Sequence, residues 1–353
     1  MEKCLIMGDV MTCKFLSLES FENYCVLGGD YVMEKAAKNL ASIKRKKYRQ
    51  RNIAKRWYRQ RYCYLMLLPA LIIVSLFVYK PIMYWIIAFK DYKIGGSIYA
   101  GDWAGLEYFR EFFQDSTDAY YVFRNTLSFN IVSLILSTIA SMAFAILLSE
   151  IRYKKLQRFI QSASIFPYFV SWVITYSFCR AFFATGTGLV NTVLMDAGII
   201  KKGYNILGDP QYTFGLLIGA NLWKGLGYNA VIYLATIAGI DQEQYEAADI
   251  DGAGRLAKIR YITVPSLAGT MAILLVLNSG WLLSSNFDMF YQFSNPTNQT
   301  VTEVFDMYVY RYGLKLGRYS YATAVGIFKT VTSLALVMLS NVIYHRTMHR
   351  SIF

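Results

Sequence analysis

The sequence predicts an all-α polytopic membrane protein with six transmembrane helices, and three observations carry that prediction. Uncharged apolar runs long enough to cross a bilayer recur along the chain. Hydrophobic residues make up 55% of the 353 positions and charged residues only 17%, a balance that argues against soluble domains. The basic residues behind a formal net charge of +13 cluster beside the apolar runs, so positive-inside topology accounts for them without nucleic acid as a partner.

Residues 1–43 differ from the rest of the chain. They hold no membrane-length run and no signal-peptide pattern. Gly28-Gly29-Asp30 can be encoded by a ribosome-binding site just upstream of Met33, so translation is expected to start at Met33. A disordered cytoplasmic extension is the alternative. Residues 44–63 form a basic cytoplasmic or interfacial segment. Ten Lys or Arg and no acid lie between Lys44 and Arg61, and Trp57, Tyr58, Tyr62 and Tyr64 interleave with them, as suits a helix lying on anionic membrane lipid.

The membrane domain is expected over residues 64–344, with spans at 64–89, 126–148, 159–183, 212–238, 266–283 and 321–344. Lys80 can snorkel from the outer part of the first span. Residues 90–124 read as an external loop with a short aromatic helix, and 150–158 as a short basic cytoplasmic loop. Pro167 predicts a kink in the third span. Residues 184–211 and 284–320 carry turn signals or aromatic residues and read as external. Asn298-Gln-Thr300 is a glycosylation sequon by pattern and is expected to be incidental. The tail 345–353 is basic, so both termini are expected in the cytoplasm.

Five cysteines at 4, 13, 25, 63 and 179 show no CxxC pair and no metal-ligand spacing, which predicts neither disulfide nor metal. His345 and His349 share a helix face without an acidic or thiol companion. No Walker A pattern, nucleophile elbow or zincin helix occurs, so no catalytic residue is predicted. If movement of a solute is ATP-driven, the ATPase is another polypeptide.

The loop at 239–265 is the most informative stretch. Acidic residues crowd its front (Glu243, Glu246, Asp249, Asp251) and basic ones its back (Arg255, Lys258, Arg260), the order that complements a helix dipole. Ala247, Ala248, Gly252, Ala253 and Gly254 leave a surface with little side-chain bulk, which a partner can approach closely. Pro265 is expected to open the next membrane helix.

Glu246-Ala247-Ala248, three residues, Gly252, nine residues, Ile262 and Pro265 resemble the EAA signature of binding-protein-dependent ATP-binding cassette (ABC) importer permeases, with Asp251 and Ala253 matching the longer sugar-permease form. Val264 stands where Leu is usual. The stretches Arg59 to Pro69, Pro81 to Tyr92 and Trp103 to Phe109 resemble the LplB-type branch of the maltose-type sugar permeases, and the likeness runs from about Tyr58 to the C-terminus.

That resemblance implies the type I importer permease (MetI-like) fold and a bacterial cytoplasmic-membrane protein that translocates oligosaccharides by alternating access. It implies a second permease subunit in a heterodimer, an ABC ATPase dimer and an extracellular solute-binding lipoprotein as partners. No cofactor is expected on this chain; ATP and Mg belong to the ATPase. Glu246, Ala247, Ala248, Asp251, Gly252, Ile262 and Pro265 would form the docking loop.

A sugar path needs aromatic faces and amides, and Tyr168, Trp172, Trp223, Asn278 and Trp281 are of those types. Helix packing or an aromatic belt explains each of them equally well. Lys224 lies deep in the fourth span, where an ionisable group either serves function or pairs with protein. Lys224 and Lys329, with the net charge, leave acidic oligosaccharides open as the substrate. A permease of this architecture for a peptide, polyamine or glycerol phosphate is the nearest alternative, and a membrane-embedded enzyme or channel a more distant one.

Overall fold

The computed structural model describes residues 58, 60–99, 101–114 and 116–348. The expected start at Met33, the basic stretch 44–57 and the end of the tail lie outside them. Among the described residues the chain is helical, and its only extended pairing is an isolated antiparallel bridge between Lys90 and Trp103. The described residues fall into two units that divide between Ile82 and Met83.

The described part of the first unit holds helix α1 (Arg61–Val74), which continues through a π turn, Ser75–Tyr79, into α2 (Lys80–Met83), whose last residue falls in the second unit. Pro69 sits inside α1. Leu and Ile dominate this stretch and its large apolar side chains are exposed, as a lipid-facing surface requires.

The second unit opens with a 3-10 turn at Tyr84–Phe89 and continues through α3 (Glu107–Gln114), α4 (Ser116–Ser149), α5 (Lys154–Phe169), α6 (Trp172–Phe183), α7 (Leu189–Asp196) and α8 (Pro210–Ala238). Then come α9 (Gln242–Ile250), α10 (Arg255–Lys258), α11 (Val264–Ser279), α12 (Phe287–Phe293), α13 (Gln299–Thr302), α14 (Phe305–Tyr310) and α15 (Tyr319–Met348).

Among the described residues four helical stretches are long and apolar enough to cross a membrane: Arg61–Phe89, Thr117–Ser149, Arg255–Ser279 and Tyr319–Arg346. The other two expected spans take different forms. The fourth is α8, 29 residues long and more polar through Asn221, Lys224 and Asn229. The third is two half-helices. Pro167 was expected to kink it, yet Pro167 lies inside α5, and the helix breaks three residues later, where Val170 takes an extended conformation (ψ 131°). Ser171 then caps α6 by accepting from the Ile174 N–H at 3.3 Å.

The core is built around α4 and α8. Ala145 and Ile146 of α4 pack with Ala230 and Tyr233 of α8 and Leu267 of α11. A second cluster joins Phe129, Trp172 and Leu217 to Met289, Phe290 and Phe293 of α12. Gly227 lets two backbones touch: a Cβ there would meet the Ser164 carbonyl oxygen at 2.1 Å, so α5 and α8 cross with no side chain between them.

Residues 284–320, expected as a loop, are a packed cap of short helices. Met289, Phe290, Phe305 and Tyr308 are fully buried, and Tyr308 and Tyr321 share a 2.7 Å hydrogen bond between their hydroxyls. Arg311 ties the cap to α4, its Nη2 3.0 Å from Asp118 Oδ2 and its Nε 3.0 Å from Glu303 Oε1. Asn298 is wholly buried and donates to the carbonyls of Leu207 and Phe293 at 3.0 and 2.9 Å. The sequon therefore has a structural use: its amide is consumed inside the protein.

Candidate functional site

Two regions hold the residues singled out by sequence. The first is the turn between α8 and α11. Asp241 caps α9 by accepting from the Glu243 N–H at 3.1 Å. The helix ends in a Schellman arrangement: Ala253 N–H donates to the Ala248 carbonyl at 2.9 Å and Gly252 N–H to the Asp249 carbonyl at 3.1 Å. Gly252 takes φ +73°, the left-handed conformation that disfavours a side chain. The acidic and basic halves that sequence read along one helix dipole therefore belong to two helices.

Glu246, Ala247, Asp251 and Gly252 are exposed, and Ala248 is half-buried. Ile250 and Leu256 flank them with their apolar side chains 88% and 82% exposed. Three contacts hold this surface to the helical body. Tyr245 Oη lies 2.9 Å from Thr263 Oγ1, Lys258 pairs with Asp249, and Arg255 Nε stands 4.0 Å from Glu150 Oε2, just past the end of α4.

Pro265 was expected to open the next membrane helix. It stands second in α11, which continues a helical stretch that begins at Arg255. A π turn at Ile259–Thr263 precedes it, where Val264 N–H bonds back to the Ile259 carbonyl. The wider turn gives the proline ring room, and the carbonyl of half-buried Ile262 accepts from Ser266 Oγ at 2.7 Å.

The second region is a cavity of about 400 Å³ among α4, α5, α8 and α11. Asn130, Ser133, Ser137 and Thr138 line it from α4, Asn221 and Asn229 from α8, and Asn278 from α11, with Tyr168 and Trp281 as aromatic walls. Ser133 Oγ is buried there with no hydrogen-bond partner. Asn130 is held in place, its Nδ2 donating to the Leu282 carbonyl at 2.8 Å. Trp281 and Ser284 also border a larger cavity of about 1000 Å³, walled by α14 and α15.

The structure thus brings Tyr168, Asn278 and Trp281 together. Trp172 is instead in the core, and Trp223 lines a separate apolar groove with Phe178, Cys179 and Phe182. Lys224 donates to the backbone carbonyls of Pro167 (3.3 Å), Tyr168 (2.8 Å) and Val170. Lys329 pairs with Asp306. Sequence reasoning put no residue of α4 on the sugar path, although Ser133, Ser137 and Thr138 line the cavity from it. Asn130, Ser133 and Ser137 follow at i, i+3 and i+7 and so share one helix face, a signal available in the sequence.

An apolar helical body with a polar internal cavity and an exposed, firmly tethered small-residue loop is the construction of a membrane transport subunit. The sequence profile of the family described as "binding-protein-dependent transport system inner membrane component" matches residues 137–350, and the chain belongs to that family. Among similar proteins is LplB of Bacillus subtilis, 36% identical over 285 residues, 81% of this chain and 89% of that protein. Another is YteP of Bacillus subtilis, a polygalacturonan/rhamnogalacturonan transport system permease protein, 37% identical over 296 residues, 84% of this chain and 91% of that one. A solved permease chain of a bacterial ABC transporter importing the acidic polysaccharide alginate superposes with a TM-score of 0.76 at 32% identity, covering 84% of this chain and 99% of the other. The fold is that of ABC importer permeases, and the chain is a permease subunit of an ABC importer, located in a membrane.

Proposed function

We propose that this subunit passes oligosaccharides derived from complex polysaccharides, acidic ones among them, through the cytoplasmic membrane. It alternates between inward- and outward-facing states driven by an ATPase on separate chains. The observation that carries the sugar reading is the 400 Å³ cavity: amides and hydroxyls from three helices face a space walled by Tyr168 and Trp281. Ring faces stack on the apolar faces of sugars while amides and hydroxyls bond their hydroxyls. The polygalacturonan/rhamnogalacturonan permease and the alginate importer to which the chain is similar agree with that chemistry.

The 239–265 loop lies on the cytoplasmic side with both termini, as the basic residues at 44–61 and 150–158 favour. Glu246, Ala247, Ala248, Asp251 and Gly252 meet the ATPase, and Ile262 and Pro265 carry its movement into α11. Arg255 beside Glu150 and Tyr245 against Thr263 transmit the same movement to α4 and α11. A second permease, an ATPase dimer holding ATP and Mg, and an extracellular solute-binding lipoprotein complete the assembly. The solved alginate transporter bound to its substrate-loaded periplasmic protein supplies the precedent for the last. This chain supplies no catalytic residue and binds no cofactor.

The test is substrate-stimulated ATP hydrolysis by the reconstituted complex, with its binding protein, across a panel of neutral and uronate oligosaccharides. Stimulation by a glycan is the expected result. Stimulation only by a peptide, polyamine or glycerol phosphate would replace the sugar reading.

A further inference from the structure

Inside the membrane the α5–α6 break leaves backbone carbonyls at a helix end without a full following turn to bond them; that of Pro167 accepts the Val170 N–H at 3.2 Å. A helix C-terminus carries partial negative charge, and no water in the hydrocarbon layer offsets it. Broken membrane helices elsewhere present such carbonyls to a bound cation. Here the cation is part of the chain. Lys224 is only 9% exposed, and its ammonium donates to the carbonyls of Pro167, Tyr168 and Val170. Its charge also lies 5.4 Å from the Trp172 ring centre and 5.9 Å from that of Tyr168.

The same face of α8 grips the break at two further points. Gly227 touches the backbone at Ser164, and the Tyr228 ring lies parallel on Tyr168, centroids 4.0 Å apart and planes 5° apart. Tyr168 in turn walls the 400 Å³ cavity. We propose that Lys224 is a tethered cation that fills the carbonyl end of the broken helix and, by doing so, is the positioning residue that sets Tyr168 at the wall of the solute cavity. It does not meet the solute, because its donors are committed to the backbone. The part concerning the solute rests on the sugar-permease reading; the carbonyl cage stands without it.

The experiment compares wild type, Lys224→Ala and Lys224→Arg in the reconstituted complex, in ethylammonium chloride and in choline chloride at equal ionic strength. Ethylammonium is small enough to enter a lysine-shaped void, and choline has no N–H to donate. Lys224→Ala should melt at a lower temperature and raise the KM for the transported glycan about tenfold, as loss of a charged hydrogen-bond donor implies. Ethylammonium should reverse much of both effects and choline neither. Lys224→Arg should stay near wild type, and wild type should ignore either salt.

Wild-type KM and melting temperature in Lys224→Ala, or a defect that ethylammonium relieves no better than choline, would overturn the proposal. If Lys224→Ala does not assemble, its recovery during purification in ethylammonium supports the cage and failure to recover refutes it. A wild-type complex that imports no glycan would defeat the sugar reading alone, since the melting comparison still judges the cage.

Discussion

Tyr245 and Thr263 are joined by a hydrogen bond of 2.9 Å between their hydroxyls, and that bond fastens the exposed helix α9 to the stretch leading into a membrane helix. Thr263 is 4% exposed, so its hydroxyl has little water to fall back on. Tyr245→Phe should weaken the complex by about 1–3 kcal/mol, because it strands a buried polar group. Adding Thr263→Val should recover most of that stability by removing the stranded group. Neither variant should recover coupling: solute moved per ATP hydrolysed should fall several-fold in both while ATP turnover persists. Coupling restored in the double variant would show that the bond serves stability alone.

Gly252 separates conformation from contact. Its φ of +73° disfavours a side chain, yet a Cβ placed there meets nothing of this chain within 4 Å. Asn tolerates the left-handed region better than other residues with side chains, and Ala at such a position costs about 1–2 kcal/mol. Gly252→Asn should therefore assemble and melt as wild type does. If the loop seats closely on an ATPase, glycan-stimulated ATP hydrolysis should nonetheless drop at least about tenfold, the effect of a side chain forced into a packed contact. Full stimulation in Gly252→Asn would mean that the glycine is there for the helix end only.

Much of this was legible in the sequence, for identifiable reasons. Membrane helices follow from length and apolarity, so most spans lie where the runs predict them. The loop spacing from Glu246 to Pro265 is a local pattern and needs no fold to be read. What the sequence hid depends on partners far along the chain. The third span breaks after Phe169 rather than bending at Pro167 because Lys224, 54 residues beyond Val170, offers its ammonium to the freed carbonyls. The 284–320 segment reads as a loop because its helices are short; its burial comes from packing against α4 and α15. Tyr168 and Trp281 share a cavity while Trp172 and Trp223 do not, and residue type alone cannot sort the four.

Ser133 offers a test of the cavity that leaves the fold intact. Its Oγ is buried without a partner, so Ser133→Ala removes an unsatisfied group and should leave melting unchanged or slightly raised. Ser141 is the control, also buried and unpartnered on α4 but absent from the cavity wall. If Ser133 bonds a sugar hydroxyl, Ser133→Ala should raise KM for the glycan about fivefold, the effect of one neutral hydrogen bond. Ser141→Ala should transport as wild type does. Equal behaviour of the two variants would remove Ser133 from the solute site.

The cap formed by residues 284–320 should show its own pH dependence through Glu303. Burial pushes its carboxyl above the ordinary 4.5, and the neighbouring Asp118 adds to that, while Arg311 and the Gln299 amide pull it back without cancelling the burial. A raised folded-state value means that the folded cap holds a proton which the unfolded chain has already released. Stability from this group is therefore complete below about pH 4.5 and falls as pH rises through the raised value. Glu303→Gln carries no proton to lose and keeps an amide in the same space, while Arg311 retains Asp118 at 3.0 Å. Melting temperature followed upward from pH 4.5 should fall less steeply in Glu303→Gln than in wild type. Parallel curves would mean that Glu303 is ionised throughout and that its pairing with Arg311 outweighs its burial.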